Sequence, residues 1–382
     1  MKFVLEREHF FQAVTAVQRA TATRVIQPIL SNIRIECLDA STLKLSATDL
    51  DFSIETVVSA TCTALGQTTI LAKKLAEIIS KLPKSELVSV SVNPETQVAT
   101  IQSGSVVFDI RTLPAEEFPE IPTLDQDTAI EVSPVNFMQA INQTAFAAAG
   151  YDANNVLAGV YFKMDQNGLE MAATDGSRLA KRQDDSLANG NGRNASSPET
   201  SAVSAIIPAK TLQELSKLLV VNDDDTGWLR VAIADGQIAF RTEQFYIVSR
   251  LLDGMYPQYN QLIPTTNPIV LHAPRRSFIE ALERMSVMAN ERTNIVKLSI
   301  DKSAMSLEAQ TPDVGDSQDT MDVSYDGEPF QIAFNYRYVI DALKVMDTDE
   351  VKMETSGSLS PTLFRPKDDK QYLCLVMPVQ VK

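Results

Sequence analysis

The sequence predicts an α+β protein in which a single domain is spelled three times. A short helical phrase recurs as Phe10-Phe11-Gln12-Ala13-Val14, Phe137-Met138-Gln139-Ala140-Ile141 and Phe278-Ile279-Glu280-Ala281-Leu282. Its aromatic and its last apolar residue stand four apart, which stacks them on one helix face. A second amphipathic stretch follows each echo: Ala72–Ile79, Ala209–Leu215 and Tyr336–Leu343. Glu77, Glu214 and Asp341 hold the matching acidic place. Between these stretches, runs of period-two alternation outnumber the helices. That points to antiparallel sheet rather than alternating β and α. The repeat is roughly 125 to 140 residues long, the size of a whole domain.

In the first copy, Met1–Leu5 predicts an edge strand, and the echo helix fades near Arg19–Arg24. Strands follow at Asn32–Cys37, Leu43–Ala47, Phe52–Val58 and Thr68–Leu71. The second helix stops before Pro83, and Leu87–Val92, Val98–Gln102 and Val106–Thr112 alternate again. The acidic, Pro-rich stretch Pro114–Pro122 is a linker, and Gly254–Pro264 repeats the role. The domains are expected at 1–122, 129–255 and 269–382. In the second, Ser133 and Pro134 signal a helix start. Pro274 does the same in the third. Asn189–Glu199 is expected as a surface loop and Asp223–Asp225 as a solvated turn. Closing phrases match as Thr112-Leu113-Pro114, Leu251-Leu252-Asp253 and Val376-Met377-Pro378.

Hydrophobic residues make up 44% of the 382, enough for each domain to bury a core. No apolar run reaches membrane-spanning length, and Met1–Glu8 is too charged for a signal peptide. Cys37, Cys62 and Cys374 are odd in number and lack metal spacing. They are expected as reduced core thiols of a cytosolic protein. No metal or other cofactor is expected. Nucleotide-binding loops and hydrolase motifs are missing, and no nucleophile–base pair stands out. Asp49, Asp51 and Asp175 could be imagined as a metal-dependent hydrolase set. The repeated Thr48-Asp49 and Thr174-Asp175 read better as turn formers.

Net charge is −15, which argues against nucleic acid unless the cations share a face. They recur in or beside the helices: Arg7, Arg19, Arg24, Lys73, Lys74 and Lys81; Lys210 and Lys217; Arg275, Arg276, Arg284 and Arg337. A pseudo-symmetric chain with basic helices and acidic sheets can close into a ring, helices inside and sheets outside. Such a ring would hold a duplex without reading its bases. A peptide-binding scaffold that never touches DNA is the alternative that the acidic balance favours.

Several phrases together resemble the bacterial DNA polymerase III β subunit family, the β sliding clamps. They are Met1–His9, Pro28–Asn32, Ala173–Ala180, Tyr256–Tyr259, Phe334-Asn335 with Tyr338-Val339, and Val376–Val379. The resemblance implies three clamp domains with two helices each and a head-to-tail homodimer forming a six-domain ring. It implies a non-enzymatic processivity subunit that slides on duplex DNA, tethers the replicative polymerase and works in the cytoplasm. Implied partners are the polymerase III catalytic subunit, the clamp loader and other proteins bearing a clamp-binding motif.

The resemblance also implies DNA contacts at Arg24, Lys73, Lys74 and Lys210, and a subunit interface of Phe108 and Ile110 with Val287 and Met288. A pocket for a short peptide with apolar anchors maps onto Leu157, Thr174, Gly176, Arg178, Leu179, Pro257, Leu262, Asn335, Tyr338, Val351, Val376, Met377, Pro378 and Val379. Ser177 stands where the family often has His, and Gln261 and Gln380 stand where Arg is common.

Overall fold

A computed structural model of the chain describes residues 1–22, 27–84, 86–125, 129–150, 155–186, 202–219 and 227–380. Arg24 and the stretches Asn189–Glu199 and Asp223–Asp225 lie outside the described residues. The chain forms two units, 1–135 with 217–251, and 136–216 with 252–382. The middle third is thus shared between them.

Six α-helices occur among the described residues: α1 (Arg7–Val17), α2 (Ala72–Lys81), α3 (Pro134–Thr144), α4 (Ala209–Leu218), α5 (Arg275–Ser286) and α6 (Tyr336–Lys344). The three echoes lie on α1, α3 and α5. Phe10, Phe137 and Phe278 are all fully buried. Helix α3 starts at Pro134, as its sequence predicts, whereas Pro274 sits one residue before α5.

All strand pairings are antiparallel. The first unit holds a 13-stranded sheet, and the second holds sheets of eight and four strands. Strand Lys2–Glu6 is not an edge: it lies between Leu87–Asn93 and Thr61–Ala64. The latter strand is too short and too exposed for alternation to reveal it.

Arg7 and Arg275 depart from the expectation that the helix cations face water. Each is the first residue of its echo helix. Arg7 is buried and donates to Ile79 O (Nε, 3.0 Å) and Ser80 O (3.0 Å) at the end of α2. Arg275 donates to Leu343 O (3.3 Å) in the last turn of α6 and to Thr348 O (2.6 Å) in the loop beyond it. Both guanidiniums satisfy carbonyls that a helix C-terminus leaves open, where positive charge is favoured. Pro134 holds this place in α3. Arg7→Ala should cost roughly 2 kcal/mol, from two lost charge-assisted bonds and the carbonyls left unmet. The check is a thermal melt beside Arg276→Ala, whose side chain is 90% exposed and should matter little.

Cys37, Cys62 and Cys374 are free and buried. Burial pushes the thiols of Cys37 and Cys374 up to about 12, where they are inert toward mild electrophiles.

Candidate functional site

The residues that the resemblance assigns to a peptide pocket lie in the second unit, and several gather around a hairpin turn. Strands Gly168–Thr174 and Arg178–Asp184 are joined by Asp175, Gly176 and Ser177. Thr174 Oγ1 accepts from Gly176 N (3.1 Å) and donates to Arg178 O (2.6 Å). Asp175 Oδ1 accepts from Ser177 N (2.9 Å) and Arg178 N (3.0 Å). Gly176 takes φ +90°, and its open side meets no atom within 4 Å.

The first unit repeats this turn. Thr48 Oγ1 accepts from Leu50 N, and Asp49 Oδ1 accepts from Asp51 N and Phe52 N. Asp49 and Asp175 are therefore turn formers, and no cluster able to hold a metal occurs among the described residues.

Arg178 is the centre of this cluster. Its Nε donates to Asp175 Oδ2 (3.1 Å), one terminal nitrogen to Asp341 Oδ2 (2.6 Å), and the other to Phe146 O (2.7 Å). The guanidinium also lies 4.6 Å from the Tyr338 ring centre and 5.3 Å from that of Phe146. Middle and last thirds join here, since Arg178 pairs with Val376 and Leu179 with Leu375 in one ladder.

Beyond the ladder, Met377 N donates to Ser177 O (2.9 Å) and Val379 N to Ala333 O (2.8 Å). The segment 377–379 is thereby laid across the turn and onto strand Phe330–Asn335. Asn335 caps α6 by accepting from Arg337 N (3.1 Å). Tyr256 Oη accepts from Thr174 N (3.1 Å), which brings Pro257 to the same place.

Thr174, Leu179, Val351 and Val376 are buried and form the floor rather than the rim. Leu157, Arg178, Asn335, Tyr338, Pro378 and Val379 are half-buried; Gly176 and Pro257 are exposed. Leu262 (57% exposed) and Met377 (40%) are the large apolar groups presented to solvent here. Leu262 ends the short helix Tyr259–Leu262, which is anchored by Tyr259 in the cluster of Leu179, Leu363 and Leu375. Asp341 joins the cluster through Arg178, and the family motif did not supply it. Its recurring place in the repeat was the available signal.

Lys73 and Lys74 project from the first turn of α2 into solvent, and Lys210 is half-buried in α4. Lys74 pairs with Glu77 (2.8 Å), which holds the Glu77 carboxyl below its usual range. Arg276 pairs with Glu280, Arg284 with Asp319 and Lys344 with Glu283. The helix surfaces therefore mix both signs and are not purely basic. Acid is not confined to strands and linkers.

Phe108 and Ile110 share the half-buried face of strand Val106–Leu113. That strand pairs with Val98–Ser103, and on its other side only Thr112 and Leu113 meet Gly66–Leu71. Among the described residues, strand Gly315–Asp322 pairs with Ala304–Thr311 alone. Val287, 79% exposed, and half-buried Met288 stand beside its start.

Known proteins resemble this chain along its whole length. Residues 1–122, 131–258 and 260–380 match the N-terminal, central and C-terminal domains of the DNA polymerase III beta subunit. The beta sliding clamp of Synechococcus elongatus is 32% identical over 386 residues, covering 100% of both chains. That of Bacillus subtilis is 31% identical over 393 residues, again covering 100% of both. The crystal structure of the Bacillus subtilis DNA polymerase sliding clamp matches with a TM-score of 0.89 at 30% identity over 100% of each chain. That from Pseudomonas aeruginosa matches with a TM-score of 0.88 at 26% identity, also over 100% of each.

Proposed function

The chain belongs to the DNA polymerase III beta subunit family and works as a DNA sliding clamp, a non-catalytic processivity factor, and on that premise we propose that two copies close head to tail around duplex DNA. One observation carries the closure. In the first unit, strand Phe245–Arg250 of the middle third lies on Phe52–Ser59 of the first, and Arg250 N donates to Asp51 O (2.9 Å). In the second, strand Tyr372–Val376 lies on Arg178–Asp184, and Met377 N donates to Ser177 O (2.9 Å). The same two elements meet at the same step of the ladder. One such pair is left over, Val106–Leu113 and Gly315–Asp322, and its facing edges are open. A second copy can supply each with the other, which is how head-to-tail rings close.

The register carries over as well. Thr69 pairs with Leu113, Leu252 N donates to Ile206 O and Val379 N to Ala333 O, which makes Arg111 the counterpart of Arg250 and Met377. Gln310 and Asp316 pair as Thr48 and Ser53 do. Arg111 then faces Val314, Phe108 faces Ser317 and Val107 faces Gln318. Asp109 faces Asp316, a like-charge pair that opposes closure. Cohesion must therefore come from Phe108, Ile110, Val287 and Met288.

Val107→Cys with Gln318→Cys should give a covalent dimer under mild oxidant, because paired strands place Cα atoms about 5.5 Å apart. Shifting one cysteine to Ser317 turns it to the other face and should abolish the cross-link. Cross-linking of the shifted pair alone would refute the register. Monomer from both would refute the interface.

Inside the ring, Arg24, Lys73, Lys74 and Lys210 meet phosphates and leave base edges unread. The pocket around Arg178 takes a short peptide from the polymerase catalytic subunit, the clamp loader and other motif-bearing proteins. The apolar rim and few orienting polar groups suit that task. Replication also places the protein in the cytoplasm. No helix among the described residues is long and apolar enough to cross a membrane.

A further inference from the structure

Resting on the peptide-pocket reading, we propose that Asp341 is a positioning residue that acts through Arg178. It holds α6, with Tyr338 and the cap Asn335, beside the hairpin turn, so that a peptide meets the pocket already formed. Arg178 follows the turn and donates to Asp341 Oδ2 within α6 (2.6 Å). Its Nε goes to Asp175 Oδ2 (3.1 Å) and its other terminal nitrogen to Phe146 O (2.7 Å). The guanidinium also lies 4.6 Å from the Tyr338 ring centre. One side chain thus binds the turn, the segment around Phe146 and the helix. It is only 11% exposed, so water competes little for these bonds.

The repeat shows what this bridge is not needed for. In the first copy of the turn, Phe52 stands where Arg178 stands, and it is buried. That turn keeps all three of its side-chain-to-amide bonds without an arginine. The ladder beside it, Phe52–Ser59 with Phe245–Arg250, also forms without one. Neither turn nor ladder therefore requires Arg178 or its acid. What the second copy adds is a charged tie to a helix. Backbone bonds lay 377–379 onto the turn and onto strand Phe330–Asn335, whereas Asp341 reaches the turn from α6 by a side chain. Arg337, exposed and one turn earlier on α6, also feels the Asp341 charge. Its Nε bonds Tyr336 Oη (3.4 Å). It shares a helix with Asp341, so pairing with it would tie α6 to nothing. The Lys74–Glu77 pair of α2 is of that internal kind. Arg178 comes from a different third of the chain.

The test uses the full chain and a fluorescent synthetic peptide with Leu and Phe anchors and no charged side chain, read by anisotropy. An uncharged peptide keeps direct attraction to Arg337 out of the measurement. Asp341→Ala should weaken binding about 5- to 20-fold, because the peptide must then order the helix itself. Asp341→Glu keeps the charge and should restore most of the affinity. In an Arg178→Met background, which retains much of the packing, Asp341→Ala should change affinity by less than about twofold, because its partner is gone. Arg337→Ala should also stay within about twofold of wild type. Equal losses from Asp341→Ala in both backgrounds would overturn the positioning role and leave the pocket standing. So would wild-type affinity in Asp341→Ala, no recovery in Asp341→Glu, or a loss in Arg337→Ala as large as that in Asp341→Ala. If the wild-type chain does not bind the peptide, or binds it regardless of loss of 377–382, the pocket reading falls and the positioning role with it.

Discussion

Removing residues 377–382 should cut affinity for a partner peptide by about 2–4 kcal/mol, roughly 30- to 1,000-fold, while a preloaded ring stays on closed circular DNA. The effect is large because the segment builds the pocket twice over. Met377 presents an apolar side chain at the rim, and Val379 is tied to the strand that leads into α6. Val376 pairs with Arg178 and remains, so the ladder joining middle and last thirds survives the cut. Retention on DNA depends on other elements and should change little. Met377→Ala alone should give a smaller loss of about 1–2 kcal/mol, since truncation removes one anchor and leaves the backbone path. Peptide anisotropy and gel filtration of the loaded complex read the two properties separately. Unchanged polymerase binding after the truncation would refute the pocket.

The threefold repeat was legible because burial selects its residues. Phe10, Phe137 and Phe278 each fill a core, and a core tolerates few other shapes. The turn role of Thr48-Asp49 and Thr174-Asp175 was legible for a similar reason, since few residue pairs can meet three amides between them, two at the Asp and one at the Thr. Leu50 was not foreseen at φ +80°, where its counterpart is Gly176. Helical cations were misjudged as a class. Charge says what a side chain dislikes losing, but not whether carbonyls wait for it, as they do for Arg7 and Arg275. The closing phrases were aligned two residues out in the last third. Val379, and not Met377, makes the backbone bond that Leu252 makes in the middle third. Apolar strand ends look alike in letters, and hydrogen-bond register alone tells them apart. Asp341 was visible as a repeated acid, but its bond to Arg178 crosses from α6 to a strand 163 residues away. No local pattern encodes such a meeting.

Lys73→Glu combined with Lys74→Glu should shorten residence on circular DNA at least 10-fold and leave peptide affinity within about twofold. Two lost phosphate contacts remove about 1.8 from the slope of log affinity against log salt, and the new carboxylates add repulsion. The Lys74–Glu77 pair sharpens the expectation. Reversing Lys74 frees Glu77 and sets two acids three apart on α2, beside the acid at Lys73. A surface already mixed in sign then becomes strongly negative. Mixed charge also explains how a chain of net −15 can hold DNA at all. Weak contacts let the duplex slide, and enclosure supplies the retention. Linearising the DNA should therefore release wild-type and double variant alike, at similar rates, because an open end removes enclosure for both. A variant that leaves closed circles no faster than wild type would show that α2 does not face the duplex. Equal loss of DNA residence and peptide binding would show instead that the two sites are not separate.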